Sequence, residues 1–173
     1  MKIRIILFAA LATLFISCKK STTPAPATTA NYYIKLKING AAKSMTMTPM
    51  VMFTNAQPLY MCQLSGYFPN NFGQGATFTI TDAAAIVTNK TYTQQIINAG
   101  GTQVIQTVFV YRGDDGKQYL AEGNIPGTLV SVQFSEIATD HVKGTFSGTV
   151  QIQGTSTFVA VTDGEFYLNR VQL

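Results

Sequence analysis

From residue 142 to 152 every even position is apolar or glycine (Val142, Gly144, Phe146, Gly148, Val150, Ile152), and every odd position is polar (Lys143, Thr145, Ser147, Thr149, Gln151). Side chains of a strand point alternately to opposite faces, so this stretch reads as a β-strand with one buried face. A helix would scatter the same apolar residues around its circumference. The pattern recurs. Val130, Val132 and Phe134 alternate with Ser131 and Gln133, and Phe166 and Leu168 alternate with Glu165, Tyr167 and Asn169. Near the start, Tyr32, Ile34, Leu36 and Ile38 face away from Lys35 and Lys37.

The breaks between these segments carry turn chemistry. Asn39-Gly40 and Asp115-Gly116 suit hairpin turns that need positive φ, and Asp163-Gly164 suits a turn or a bulge. No segment has a convincing helical period; Asp82 to Thr88 is the one place where a short turn of helix is expected. The sequence predicts roughly eight to ten short strands. The fold class is all-β: a single antiparallel β-sandwich or flattened β-barrel built mainly from hairpins.

The N-terminus is of another kind. Lys2 and Arg4 precede an apolar run from Ile5 to Ile16, followed by Ser17-Cys18-Lys19-Lys20. A basic start, an apolar run of about a dozen residues and a small residue before the cut form a secretory signal. The run is shorter than the roughly 20 residues a spanning helix needs. A cysteine after the small residue makes it a lipoprotein signal, and Phe15-Ile16-Ser17-Cys18 resembles the loose lipobox of Bacteroidetes lipoproteins. The expected organisation is residues 1–17 as signal peptide, 18–30 as lipidated Cys18 and a flexible Pro-containing tether, and 31–173 as the all-β domain. Two or more acyl chains, palmitate among them, anchor a protein stably without spanning. The expected location is the cell envelope, at the outer membrane, on a face the sequence leaves open.

The formal net charge of +4 sits outside the domain. Lys2, Arg4, Lys19 and Lys20 precede it, and from Asn31 onward the basic and acidic residues balance. A neutral domain gives nucleic acid no electrostatic support. Lys19 and Lys20 are placed to touch anionic headgroups.

The tail has recognisable motifs. Gly127-Thr128-Leu129-Val130, Val142 to Gly148 and Val161-Thr162-Asp163-Gly164-Glu165-Phe166, with the Lys37-Ile38-Asn39-Gly40 hairpin, resemble a group of uncharacterised Bacteroidetes cell-envelope lipoproteins with a small all-β domain. The resemblance covers both ends of the domain and little of its middle. It implies the fold and the location and transfers no catalytic residue.

Catalytic groups are scarce. His141 is the one histidine and sits beside Asp140 before a strand. No G-x-S-x-G elbow, CxxC or calcium loop is present. Asp114-Asp115 sits in an expected turn, where Asp serves the backbone. No catalytic residue, metal site or cofactor is assigned. Cys62, in Tyr60-Met61-Cys62-Gln63-Leu64, reads as a small buried residue.

One loop stands apart. Residues 66–75 read Gly-Tyr-Phe-Pro-Asn-Asn-Phe-Gly-Gln-Gly. Tyr67, Phe68, Asn70, Asn71 and Phe72 form the candidate ligand-binding set, since aromatic faces stack on sugar rings and amides bond hydroxyls. The competing expectation is that the aromatics close one end of the core. The reading is a non-enzymatic binding or assembly module, held to the membrane through lipid on Cys18 and meeting carbohydrate or another envelope protein. The alternatives are a lipocalin-like carrier of an apolar ligand, its cavity lined by Met45, Met47, Met50, Met52 and Met61, and a hydrolase around His141 or paired carboxylates.

Overall fold

The computed structural model describes residues 31–123 and 125–172. The signal, Cys18 and the tether lie outside the described residues. The described residues form strands and no helix. In chain order these are β1 (Tyr33–Ile38), β2 (Ala41–Met45), β3 (Met47–Ala56), β4 (Leu59–Phe68), β5 (Asn71–Asp82), β6 (Thr91–Thr93) and β7 (Ile96–Ala99). They continue with β8 (Thr102–Ile105), β9 (Thr107–Arg112), β10 (Gln118–Ala121), β11 (Leu129–Ile137), β12 (His141–Ile152) and β13 (Phe158–Val171). β7 and β8 make a separate hairpin, and the rest form one sheet.

That sheet closes on itself. β13, β3, β4, β5, β9, β10 and β12 pair in sequence, and β12 pairs back to β13. The circuit is that of a flattened barrel, with β2–β1 and β11–β6 as flaps on its outside edges. Most neighbours are antiparallel hairpins, as expected. One pairing was not foreseen: β13 meets β3 in parallel, through Asn169↔Met50, Arg170↔Val51 and Val171↔Met52.

The alternation read from the sequence is the alternation of burial. In β12, Val142, Gly144, Phe146 and Val150 are buried, whereas Lys143, Thr145 and Ser147 are exposed. In β13 the buried set moves from odd Val161 to even Gly164, Phe166 and Leu168. Asp163, at φ 50°, makes the change. Its register against β1 and β12 slips there, so Asp163-Gly164 is a bulge within one long strand. Asn39 and Gly40 both have positive φ, as a type I′ turn requires.

The interior is packed with rings. Phe78 lies 4.5 Å from Phe109 and 4.7 Å from Phe146, centroid to centroid. Phe134 lies 5.5 Å from Phe166 and 6.0 Å from Tyr92. Each fully buried side chain of this size contributes on the order of 1.5–3 kcal/mol. The methionines do not share an interior cavity: Met45 is fully buried, while Met61 is 41% exposed.

The short helix expected at Asp82 to Thr88 is absent, and these residues form bends and a turn. Asp82 accounts for this. Its Oδ1 accepts the Ala83 N–H at 2.7 Å, and its Oδ2 pairs with Lys90 and accepts from Gln106 Nε2 at 3.3 Å. The Tyr92 hydroxyl takes the Val87 N–H at 2.8 Å. The Tyr92 hydroxyl thereby takes an amide that a helix would have paired internally, and Asp82 serves the turn.

Candidate functional site

The loop singled out in the sequence is the β4–β5 turn, and it divides its aromatics between two faces. Phe68 points inward, packs against the core and sets its ring 6.2 Å from that of Tyr111. Tyr67, one residue earlier, points outward by strand alternation. Across the turn, Phe68 pairs with Asn71 and Tyr67 with Gly75, so Phe72, Gly73 and Gln74 bulge from the ladder without partners on β4. A bulge redirects a side chain. Here it leaves Phe72 67% exposed, with its ring 5.8 Å from that of Tyr67.

The two asparagines serve the turn. Asn70 sits at φ 63°, a conformation Asn tolerates better than most residues. Asn71 Oδ1 accepts the Gly73 N–H at 2.9 Å. Core closure therefore accounts for Phe68, turn geometry accounts for Asn70 and Asn71 Oδ1, and an outward aromatic pair remains.

That pair borders a depression of about 330 Å³ on the outer face of β4, β5 and β9. Gly73, Gly75, Thr77, Val110 and Arg112 line the rest of it. Tyr67, Gly75 and Arg112 are direct neighbours across the three strands, and Ser65, Thr77 and Val110 form the next row on the same face. Gly75 is needed where it is, because a Cβ there would strike the Gly66 carbonyl oxygen of β4. The surface thus combines two aromatic faces, a hydroxyl and an arginine. Such a surface can hold a ring with an apolar face and polar edges.

The other candidate groups are bound up in structure. His141 Nδ1 lies 2.7 Å from Asp140 Oδ1, and its Nε2 lies 3.1 Å from Glu136 Oε1, without the alignment of a good hydrogen bond. Glu136 also accepts from Lys143 at 2.7 Å. This is an exposed ion cluster beside Tyr167, with no serine or cysteine in contact with the imidazole among the described hydrogen bonds. Asp114 is held by Lys43 at 2.6 and 2.8 Å, and Asp115 accepts the Tyr119 hydroxyl at 2.7 Å. Burial, then that bond, pushes the Tyr119 hydroxyl up to about 12. Burial likewise pushes the Cys62 thiol up, away from the thiolate needed for reactivity. Among the described residues no group of three metal-ligating side chains is assembled, and no helix is long and apolar enough to cross a membrane.

Sequence reasoning found the aromatic pair and missed Arg112, Thr77 and Val110 as its neighbours. The signal that joins them is the β5–β9 register, which spans more than thirty residues of chain, from Gly75 to Arg112. No known protein family, curated protein or solved structure matches this chain.

Proposed function

We propose that the chain is a lipid-anchored cell-envelope β-domain that works as a non-enzymatic binding module, taking carbohydrate on the Tyr67–Phe72 face. The observation that carries this reading is Phe72, held 67% exposed by a bulge with its ring 5.8 Å from Tyr67. An isolated exposed apolar residue needs no explanation, but a paired one at the edge of a depression does. Stacking on an aromatic ring contributes about 0.5–1.5 kcal/mol beyond buried area. Two rings with Thr77 between polar edges suit the weak, repeated contacts of a glycan polymer.

A carrier of apolar ligands gains less support. The Phe78, Phe109 and Phe146 rings occupy the barrel interior, and the methionines are scattered between core and surface. A hydrolase gains less as well, since His141 is flanked by carboxylates on an exposed edge.

The anchor is tested by intact mass of the membrane-extracted protein. The expected N-terminus is Cys18 carrying diacylglycerol and a further acyl chain; an unmodified Cys18 in secreted protein overturns the anchor. The binding reading is tested on a glycan array with wild type and Phe72→Ala. Binding by the wild type that Phe72→Ala loses, at unchanged melting temperature, supports it. A wild type that binds no glycan, or that instead captures an envelope protein through this face, overturns it.

A further inference from the structure

Arg112 gives the aromatic face a charge preference. Tyr67 pairs with Gly75, and Gly75 pairs with Arg112, so aromatic and cation stand in one row with a glycine between them. Adjacent strands lie about 4.8 Å apart, which puts Tyr67 and Arg112 roughly 10 Å apart at the backbone. Gly75, whose Cβ would strike the β4 backbone, lets the strands approach closely between them, and both side chains border the same depression.

The guanidinium is not committed elsewhere. Arg112 is exposed, and among the described residues it has no carboxylate within ion-pair distance. The two nearest acids along the chain are taken: Asp114 by Lys43, and Asp115 by Tyr119 and Lys117. Nor is Arg112 stacked on Tyr67 or Phe72; the described cation–aromatic contacts are made by Lys35, Lys90, Lys143 and Arg170. A guanidinium presents a planar fork of donors that matches a carboxylate with two parallel hydrogen bonds. A neutral hydroxyl uses that fork less well.

We infer that the ligand of this face is an acidic carbohydrate of the uronic acid class, its ring against Tyr67 and Phe72 and its carboxylate on Arg112. This rests on the carbohydrate reading above and adds the charge.

The test titrates the detergent-solubilised full chain with oligouronates (oligogalacturonate and alginate oligomers) and with their methyl esters, which keep the ring and remove the charge. Wild type is expected to bind at least one oligouronate and to bind its ester more weakly. Arg112→Gln is expected to weaken oligouronate binding by roughly 10- to 100-fold, the loss of a charge-assisted bidentate pair. It should weaken ester binding by a smaller factor and leave melting temperature unchanged. Arg112→Lys is expected to restore part of the affinity and none of the two-point geometry. Phe72→Ala should weaken acid and ester alike. Equal wild-type affinity for acid and ester, or an Arg112→Gln variant that binds oligouronate as wild type does, overturns the acidic specificity and leaves the carbohydrate reading standing. No binding of any oligouronate by wild type, with neutral glycans still bound, does the same. No binding of any sugar overturns both.

Discussion

Tyr67 and Phe72 meet ring to ring at 5.8 Å across a turn in which Phe68, the residue directly after Tyr67, goes the other way into the core. Adjacent residues of one loop therefore carry opposite duties, and their substitutions separate. Phe72→Ala is expected to change unfolding free energy by no more than about 0.5 kcal/mol, the usual limit for an exposed side chain. Phe68→Ala removes a ring packed on Tyr111 and is expected to cost about 2–4 kcal/mol. Urea unfolding of the two variants checks this. A Phe72→Ala loss as large as that of Phe68→Ala would mean that both rings close the core.

Asp82 is 6% exposed and pairs with Lys90, while Gln106 and two backbone amides complete its shell. Removing the carboxylate leaves the buried Gln106 Nε2 without this acceptor and frees the Ala83 and Ala84 amides. Asp82→Ala is expected to cost about 1–3 kcal/mol, the penalty for buried polar groups left unpaired. Lys90 is more open to water, and its removal leaves Asp82 its other donors, so Lys90→Met should cost less. Equal losses in urea melts would place the energy in the ion pair alone.

The fold class was legible because burial has one cause along most strands: period two. Val142 to Val150 needed no partner information to be read. The bulge at Asp163 was legible as a break but not as a continuation, since only the pairing with β1 and β12 shows that the strand resumes. Closure was not legible at all. The parallel contact of Arg170 with Val51 joins residues far apart in sequence, and no local residue type announces it.

The site divides in the same way. Tyr67 and Phe72 stood out because aromatics between Gly, Pro and Asn are unusual for a turn. Phe68 could not be told from them until strand parity and the bulge were known. Arg112 did not stand out, because its order along the chain, just before the turn at Asp115-Gly116, hides its real neighbour, Gly75.

The β11–β12 edge predicts a shallow pH dependence. The Lys143 hydrogen bond holds the Glu136 carboxyl below its ordinary 4.5, and the His141 hydrogen bond holds Asp140 below its ordinary 3.8. The same Glu136 bond holds Lys143 above its ordinary 10.5. Depressed carboxylates stabilise the fold above their unfolded values, and that contribution is lost as pH falls through the folded ones. The raised lysine stabilises below 10.5 and loses its contribution as pH rises through its folded value. These groups are at the surface, so solvent and salt screen them. The contribution of these groups should be flat between about pH 5 and 10 and decline outside that window. Lys143→Met should shrink both limbs, most clearly below pH 4.5, where Glu136 titrates. Melting curves at about pH 3, 7 and 11.5 compare the two proteins, and identical acid limbs would remove the pair from the account.

Cys62 offers the last check, because it reports whether the β3–β4–β5 wall opens. The residue is fully buried, opposite Phe53 on one side and Ile80 on the other. Burial raises its thiol pKa, and a thiol reacts as the thiolate. Labelling therefore requires opening of the wall. With a global stability of about 5–15 kcal/mol, opening at the global limit slows modification by a factor of at least about a thousand. Peptide mass spectrometry after N-ethylmaleimide treatment at pH 8 should find Cys62 unmodified in the native protein and fully modified in urea. Cys62→Ser places a hydroxyl where no partner waits and should cost about 1–3 kcal/mol. Modification of native Cys62 within minutes would show that this wall, which also carries Tyr67 and Gly75, opens locally, and a rigid ligand face could not then be built on it.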